Sequence, residues 1–262
     1  MLRRREFFGT AIAAGVSIAQ QSRPPARKPK AVVKLFKSPD GNPNGLETTS
    51  EGLWIGEQVS DRAYLVDWKG KVLRKLETES HNTSGIAAGG GFVWMAANGG
   101  PVVREARPTD KSIGELLQCD PKTGRTLKRY VFQWGGGVHG VAWNHKTNTL
   151  WITALGIGAL SEVDPKDDFR ILRQIPVRLG RAHGLDFEDD AVWCMFSTDL
   201  QIHKLDMKTG KILDIIQLSK DDPDPHGMCI HEGKLYYCDA GIAPGAKDSG
   251  SPSKGYICRI DM

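Results

Sequence analysis

Two repeating patterns of apolar and polar residues run through the chain from residue 31 to its end. In the first, a short apolar stretch ends in aspartate and in most copies leads into a glycine-containing turn, as in AYLVDWKGK and IHKLDMKTG. The glycine tolerates the positive φ that a tight hairpin turn requires. The aspartates of the copies are Asp67, Asp120, Asp164, Asp206 and Asp261. Each copy except the last therefore predicts two strands joined by a hairpin.

A second pattern precedes each of these aspartates: a polar residue, a glycine, an apolar strand, a turn and a strand that carries an aromatic residue. Its copies begin at Asn44, Ser84, His139, His183 and His226. The aromatic residues are Trp54, Trp94, Trp151, Trp193 and Tyr236, which we interpret as packing between neighbouring units. Together the two patterns give four strands per unit, which is the content of one propeller blade.

The sequence thus predicts an all-β fold, a five-bladed β-propeller of four-stranded blades. The fifth unit stops after Asp261 without a fourth strand, whereas the apolar segment at residues 31–39 has no unit of its own. We predict that this N-terminal strand completes the last blade, because ring closure removes the exposed sheet edges. A six-bladed ring with a degenerate blade at residues 96–118 is the alternative.

The first thirty residues differ from the repeat region. Residues 1–19 combine consecutive arginines, two phenylalanines and a short apolar run of small residues, which is the layout of a bacterial twin-arginine export signal. Residues 20–30 are rich in proline and basic side chains and predict a flexible linker. We therefore expect a periplasmic or secreted protein with a single propeller domain over residues 31–262.

Charge and cysteine content narrow the classes of partner. The net charge is +4, but the first thirty residues carry +6 and the remainder −2, so no nucleic-acid-binding surface is predicted. We expect a small-molecule substrate, no stable membrane span after signal cleavage, and a monomer. The 5 cysteines are odd in number, and most lie in apolar strands, where we interpret them as buried small apolar residues.

The candidate chemistry lies at the start of the innermost strands. In a propeller these strands line a central channel, so the five polar residues that open the second pattern should ring one channel mouth. Imidazoles of His139, His183 and His226, on consecutive blades, can converge on one metal ion, with His81 in a loop on that face as a further ligand. Asn44 is either a neutral oxygen ligand or a donor to substrate. We therefore predict zinc or another divalent transition metal as the cofactor.

Other rim residues are candidates for proton transfer and substrate binding. Glu57 and Asp239 follow the strand aromatic at matching positions, and each is a candidate general base, metal ligand or partner of a metal-bound imidazole. Arg104, on a long loop at residues 98–114, is predicted to hold a substrate carboxylate. Trp134 and Arg181 belong to the same rim and are predicted to contact the substrate.

The blade repeat resembles that of streptogramin B lyase and of the NHL and gluconolactonase-type (regucalcin-like) propellers. PNGL at 43–46 and PHGM at 225–228 resemble the PNGL and PDGM motifs of gluconolactonase-like enzymes, whose Asn and Asp bind a divalent cation, usually calcium. Asn44 matches that motif, and His226 replaces its Asp. Since calcium prefers oxygen ligands, the three histidines favour zinc or a transition metal over calcium.

The resemblance implies a metal-dependent hydrolase or lyase that acts on an ester, lactone or related small molecule at the channel mouth. In streptogramin lyases a channel His and a Glu-x-His pair open the lactone, whereas Glu57 here precedes Gln58 and Val59. Two alternatives remain open, a non-catalytic propeller that binds a ligand or protein, and a His-ligated iron oxygenase. We interpret the remaining histidines as surface residues: His145, His203 and His231.

Overall fold

The computed structural model describes residues 23–100, 104–132, 136–241 and 250–262. In these ranges the chain forms strands and turns, without a helix that is long and apolar enough to cross a bilayer. The predicted export signal and Trp134 lie outside the described residues.

Twenty strands form five antiparallel four-stranded sheets, which confirms the predicted five-bladed propeller. Blade one contains β2 (Pro43–Thr49), β3 (Gly52–Glu57), β4 (Arg62–Val66) and β5 (Val72–Glu77). Blade two contains β6 (Thr83–Gly89), β7 (Phe92–Ala97), β8 (Glu115–Cys119) and β9 (Thr126–Val131). Blade three contains β10 (Val138–Asn144), β11 (Thr149–Ala154), β12 (Ala159–Asp164) and β13 (Arg170–Pro176).

The last two blades follow the same plan. Blade four contains β14 (Ala182–Glu188), β15 (Ala191–Phe196), β16 (Gln201–Asp206) and β17 (Ile212–Gln217). Blade five contains β18 (Met228–His231), β19 (Lys234–Cys238), β20 (Tyr256–Asp261) and, as its outer strand, β1 (Ala31–Lys37). The first strand of each of the other blades is the innermost one, and β18 takes that place in blade five.

Ring closure by the N-terminal strand is confirmed. β1 pairs antiparallel with β20, from Ala31 opposite Asp261 to Lys37 opposite Tyr256. The six-bladed alternative is wrong, because residues 96–118 supply the end of β7 and most of β8, both members of blade two. The two ends of the chain thus complete one sheet, and this leaves the ring without an open blade.

The aspartate-based turns form as their residue types predict. Asp120 Oδ1 accepts hydrogen bonds from the N–H groups of Lys122 and Thr123, at 2.9 and 2.8 Å. Gly124 closes the turn at φ 77°, in the left-handed region that favours glycine. Asp206 repeats the arrangement with Thr209 and Gly210 in blade four. The local sequence is therefore sufficient to end one strand and begin the next.

The apolar core lies between the faces of neighbouring blades. Trp54 packs with Ile86 and Val93 of blade two, and Trp151 packs with Leu185 of blade four. Trp94 stacks on Trp143 of blade three, with ring centroids 6.1 Å apart. The strand aromatics are therefore packing residues between blades, as predicted. The cysteines belong to the same interior, since all are buried and none forms a disulfide.

Five glycines allow the innermost strands to meet around the axis. They are Gly45, Gly85, Gly140, Gly184 and Gly227. A Cβ atom at any of them would lie 2.0–2.9 Å from the backbone of the next blade, a distance that real Cβ atoms do not adopt. The space left among these strands is about 10 Å³, the lower limit for one water molecule. The innermost strands therefore close the central channel just below the polar residues that precede the glycines.

The segment predicted as a linker lies along the outer edge of blade four over residues 23–30. The N–H of Arg27 donates to Ile215 O at 2.9 Å, and the N–H of Gln217 donates to Arg27 O at 2.9 Å. The Arg27 guanidinium also pairs with the Asp214 carboxylate. Two main-chain bonds and one ion pair thus fix this segment against β17.

His203 is not a surface residue, so its prediction is wrong. Its side chain is 3% exposed, and its Nε2 lies 2.9 Å from Gln201 Oε1 and 3.0 Å from Arg23 Nη2. Burial, and secondarily the Arg23 charge, lowers the pKa of His203 to about 4. The strand pattern alone places His203 on an outer strand, and the N-terminal segment then covers it.

Candidate functional site at the channel mouth

A β-bulge aims each polar residue at the channel. In blade one the pairing of β2 with β3 shifts between Pro43 and Gly45, so Asn44 is the extra residue. The same shift falls on Ser84, on His139 and within the segment that holds His183. In blade five, His226 and Gly227 both bond to the backbone of Cys238. A bulge redirects the side chain of its extra residue, and here it does so at all five strand ends.

Three imidazoles meet at this mouth. The ring centroids of His139 and His183 are 5.1 Å apart, as are those of His183 and His226, and both pairs are edge to face. All three side chains are buried. His139 Nδ1 and both ring nitrogens of His183 have no hydrogen-bond partner in the described part of the chain. Buried polar atoms are nearly always paired, so these nitrogens are available to a ligand.

The environment keeps all three imidazoles neutral. Burial, followed by the Arg181 charge, lowers the pKa of His139 to about 3 and that of His226 to about 4. Burial, with the neighbouring His139 next, lowers the pKa of His183 well below its usual value. At neutral pH each ring therefore has one N–H and one nitrogen lone pair.

The tautomer of His226 follows from its partner. His226 Nδ1 lies 3.2 Å from the backbone carbonyl oxygen of Asp224. Because a carbonyl oxygen only accepts hydrogen bonds, Nδ1 carries the proton and donates it. The lone pair of the neutral ring is then on Nε2, which can accept a proton or bind an electrophile.

On the side of blades one and two, the channel mouth presents amide and hydroxyl groups. Asn44 Nδ2 donates to Thr83 O at 3.1 Å and to Ser84 Oγ at 3.2 Å. Asn98 Nδ2 donates to the same Ser84 Oγ at 2.7 Å. The amide oxygens of Asn44 and Asn98 are buried without a hydrogen-bond partner among the described residues. These oxygens can accept hydrogen bonds from a bound molecule.

The Arg181 guanidinium places a positive charge near the three imidazoles. Its charge contributes to the lowered pKa values of all three rings, and burial lowers the pKa of the guanidinium itself. Asp224 partly offsets this charge. Within the described residues, no hydrogen bond or ion pair engages the Arg181 guanidinium, which leaves its N–H donors available.

The two predicted catalytic carboxylates hold loops of the rim. Glu57 accepts the N–H groups of Asp40 and Asn42, at 3.2 and 2.8 Å, and burial raises its pKa to about 7. Asp239 accepts the N–H of Asp224 at 3.2 Å and that of Gly241 at 2.9 Å. Both are fully buried. Their oxygens are occupied by the loops that precede Asn44 and His226, and the catalytic role assigned to them stays a prediction.

Two other predicted site residues contact groups away from the imidazoles. The Arg104 guanidinium donates to Asp61 Oδ2 at 2.6 Å and pairs with Asp110 at 2.7 Å, so its donors are engaged by the turn before β4 and by its own loop. His81 Nδ1 lies 3.4 Å from Glu115 Oε1, and both side chains are buried. The ring contacts that join the three imidazoles do not include His81.

Metal binding stays a prediction as well. The unpaired nitrogens of His183 and the neutral state of the rings suit zinc and the transition metals. As placed, however, no group of three or more His, Cys, Asp or Glu side chains in the described ranges is arranged to hold a metal ion. The donor chemistry fits, and the three-ligand geometry is not formed.

Sequence reasoning missed Asn98 and Asp224. Asp224 stands two residues before His226, as Asn42, Asn82 and Arg181 stand before their own strand-end residues. The repeat register therefore contained a signal for a second ring of polar side chains. Asn98 carried no such signal, because it follows β7 and reaches Ser84 only through the fold.

Solved structures give the comparison for this architecture. No protein-family model and no curated protein matches the chain. Glutaminyl cyclase from Myxococcus xanthus superposes with a TM-score of 0.61, at 11% identity over 87% of this chain and 95% of that chain. Streptogramin B lyase gives 0.52, at 12% identity over 88% and 97%.

A catalytically inactive histidine-to-alanine variant of virginiamycin B lyase from Staphylococcus aureus, with quinupristin, gives a TM-score of 0.50, at 15% identity over 88% and 74% of the two chains. The chain shares the β-propeller fold of these proteins. The resemblance to streptogramin B lyase, which the blade repeat indicated, is thereby confirmed as a likeness of fold. At sequence identities this low, a shared fold does not show a shared activity.

Proposed function

We propose that the channel mouth is the active site of an enzyme that moves a proton on a small molecule, with His226 as the proton acceptor. The class is a hydrolase or lyase, acting on an ester, lactone or related compound. One observation carries the proposal: three neutral imidazoles share a buried mouth, and both nitrogens of His183 lack a partner among the described residues. Unpaired buried groups at a concave site are typical of ligand binding.

The chemistry assigns different tasks to the three rings. His226 Nε2 bears the lone pair, because Nδ1 donates to Asp224 O, and it takes the proton. His183 and His139 retain N–H groups that can hydrogen-bond the oxygen on which charge develops. In an elimination the proton leaves carbon, its electron pair forms a double bond, and the carboxylate departs. In a hydrolysis His226 takes a proton from water, the oxygen of that water bonds to the carbonyl carbon, and the ester C–O bond breaks as the departing alkoxide takes the proton back from His226.

Two structural relatives support an enzyme over a binding module. Both the glutaminyl cyclase and the streptogramin B lyase are named as enzymes. In the virginiamycin B lyase relative, a single histidine-to-alanine change is described as catalytically inactive. A propeller with a histidine-dependent reaction is therefore a precedent for this chain, whose most distinctive polar cluster is made of histidines.

The test is turnover of a panel of lactones, alkyl esters and cyclic ester-containing peptides by the untagged protein, followed by mass spectrometry. Hydrolysis adds the mass of one water, whereas eliminative opening of a lactone leaves the mass unchanged. His226→Gln removes the proton acceptor and should lower the rate roughly 100-fold or more. His145→Gln is the matched control, because His145 is exposed on a turn.

Equal rates in His226→Gln and the wild type would reject His226 as the base. Failure of the whole panel, combined with binding of a panel member, would favour the non-catalytic propeller. Circular dichroism of each variant separates loss of chemistry from loss of folding.

A second candidate function is metal-dependent chemistry at the same mouth, favoured by the unpaired nitrogens of His183. His139, His183 and His226 would hold zinc or a divalent transition metal after small side-chain rotations. Such an ion supplies Lewis acidity to a bound oxygen. Elemental analysis of untagged protein should then find about one equivalent, lost in His183→Ala and kept in His145→Ala. Wild-type protein without bound metal, after purification in the presence of zinc, would reject this candidate.

A further inference from the structure

Arg181 differs from the other polar residues at its position in the repeat. The residues two positions before the strand-end side chains are Asn42, Asn82, Gly137, Arg181 and Asp224. Asn42 Nδ2 donates to Ala240 O at 2.8 Å, and Asn82 Nδ2 donates to Gly99 O at 3.2 Å. Those amides hold rim loops in place, whereas the Arg181 side chain bonds to no described residue.

Arg181 also differs from the other arginines of this face. The Arg104 guanidinium is paired with Asp61 and Asp110. The Arg107 guanidinium donates to Thr78 O at 3.0 Å and to Ser60 O at 3.2 Å. Both therefore serve the loop at residues 98–114. Arg181 is half-buried and retains a full set of N–H donors beside His183.

A guanidinium that is partly removed from water and has no partner lowers the stability of the protein, unless an anion binds to it. The three adjacent imidazoles are neutral and offer no negative charge. The Asp224 side chain is 41% exposed and forms no ion pair with Arg181 among the described residues. Independently, both nitrogens of the fully buried His183 have no hydrogen-bond partner among the described residues, so the same place offers further groups to a bound molecule.

We infer that Arg181 binds a carboxylate of the substrate, which places a monocarboxylate molecule against His183 and His226. The planar guanidinium matches a carboxylate through two parallel N–H···O bonds. This inference deepens the proposed function, since it names the substrate class of the same site. The reacting carbon or oxygen would then lie near His226 Nε2.

The adjoining cavity limits what else the substrate carries. A space of about 540 Å³ opens beside Asp224 and is lined also by Leu200, Lys220, Asp221, Asp222 and Ser253. Its volume suits a small organic molecule. Its three carboxylates outnumber the single ammonium of Lys220, so the cavity repels a second negative charge and favours a monocarboxylate over a dicarboxylate.

The test is equilibrium binding, without turnover, by isothermal titration calorimetry with butyrate. Butyramide serves as its neutral counterpart and succinate as the dicarboxylate. Butyrate should bind at least roughly tenfold more tightly than butyramide, and Arg181→Gln should abolish that preference. Arg178→Gln is the matched control, since Arg178 is exposed three residues upstream. Asp224→Asn should improve binding of succinate more than that of butyrate.

Equal affinities for butyrate and butyramide, or unchanged butyrate binding in Arg181→Gln, would overturn the inference. Either result leaves the proposed enzyme intact if neutral esters or lactones are turned over. Conversely, Arg181-dependent binding without any reaction would keep the carboxylate site and reject the enzyme.

Discussion

The buried carboxyl groups of Glu47 in blade one and Asp186 in blade four lie on the innermost strands beyond the glycine constriction, where the Asp186 charge acts on Glu47. Each stands three residues after the strand-end side chain of its blade, Asn44 and His183. The pair accepts one backbone N–H from every blade: Thr48, Ala88, Trp143, Phe187 and Ile230. Innermost strands have no strand partner on the channel side, so these N–H groups would otherwise lack acceptors.

This pair makes stability depend on pH. Burial, followed by the Asp186 charge, raises the pKa of Glu47 well above its usual value, and burial raises the pKa of Asp186 to about 6. Groups with raised pKa values contribute stability that is complete below their unfolded values, about 4, and is lost as the pH rises through the folded values. We expect the free energy of unfolding to fall by roughly 2 kcal/mol between about pH 4 and pH 7, as the pH rises from the unfolded values through the folded value of Asp186.

Urea denaturation across that range tests the pair. Glu47→Gln should lessen the decline, because the Glu47 carboxyl, whose pKa is raised by burial and by the Asp186 charge, no longer titrates. A smaller slope should remain from Glu57, whose pKa is also raised, to about 7. Asp190→Asn, at an exposed carboxylate, is the control. A wild-type slope retained in full by Glu47→Gln would contradict the assignment.

The glycine ring predicts a large effect of a single methyl group. In Gly140→Ala the new Cβ would lie 2.0 Å from His183 O, a backbone atom that cannot move without displacing blade four. We expect a loss of more than about 3 kcal/mol in unfolding free energy. Gly158→Ala is the comparison, since Gly158 has φ 63° but open space around its Cβ position, and should cost about 1–2 kcal/mol. Comparable losses in the two variants would show that the constriction is looser than described.

Ring closure can be tested by two nested truncations. Removal of residues 1–29 leaves β1 intact, whereas removal of residues 1–37 deletes it and exposes the edge of β20. The longer deletion should abolish cooperative unfolding or leave an aggregating protein, because blade five loses its outer strand. The shorter one should retain a cooperative melt by circular dichroism. Indistinguishable melting curves would argue against closure by β1.

The covered imidazole of His203 reports on the N-terminal segment. Removal of residues 1–29 should raise its pKa from about 4 toward 6.5, because burial is the larger cause of the lowered value. Arg23→Gln removes only the nearby charge and should produce a smaller rise. An NMR titration of the His203 ring protons measures both. A pKa unchanged by the truncation would mean that other groups bury the ring.

Much of the fold was predictable because its signals are local and repeated. Turn aspartates such as Asp120 bind N–H groups two and three residues ahead, so their sequence context suffices. The alternation that ends in Trp54 or Trp94 identifies strands and their packing faces. His139, His183 and His226 could be placed together because equal positions in successive blades lie around one axis.

Other features could not be predicted from the sequence. The roles of Glu57 and Arg104 depend on which N–H groups or carboxylates lie nearby, and loops from distant parts of the chain supply those. That no described residue pairs with the Arg181 guanidinium likewise depends on which groups the fold brings near it. The strand pattern predicts an exposed His203, whereas in the structure the segment at residues 23–30 covers its ring.

The sequence by itself determined the blade, its number and the ring of polar strand ends, because periodic burial and turn chemistry act over a few neighbouring residues. The tertiary structure decided which of those polar groups remain unpaired. Hydrogen bonds and charges act over a few ångströms in space, and only the closed ring brings residues as distant as Asn44 and His226 within that range.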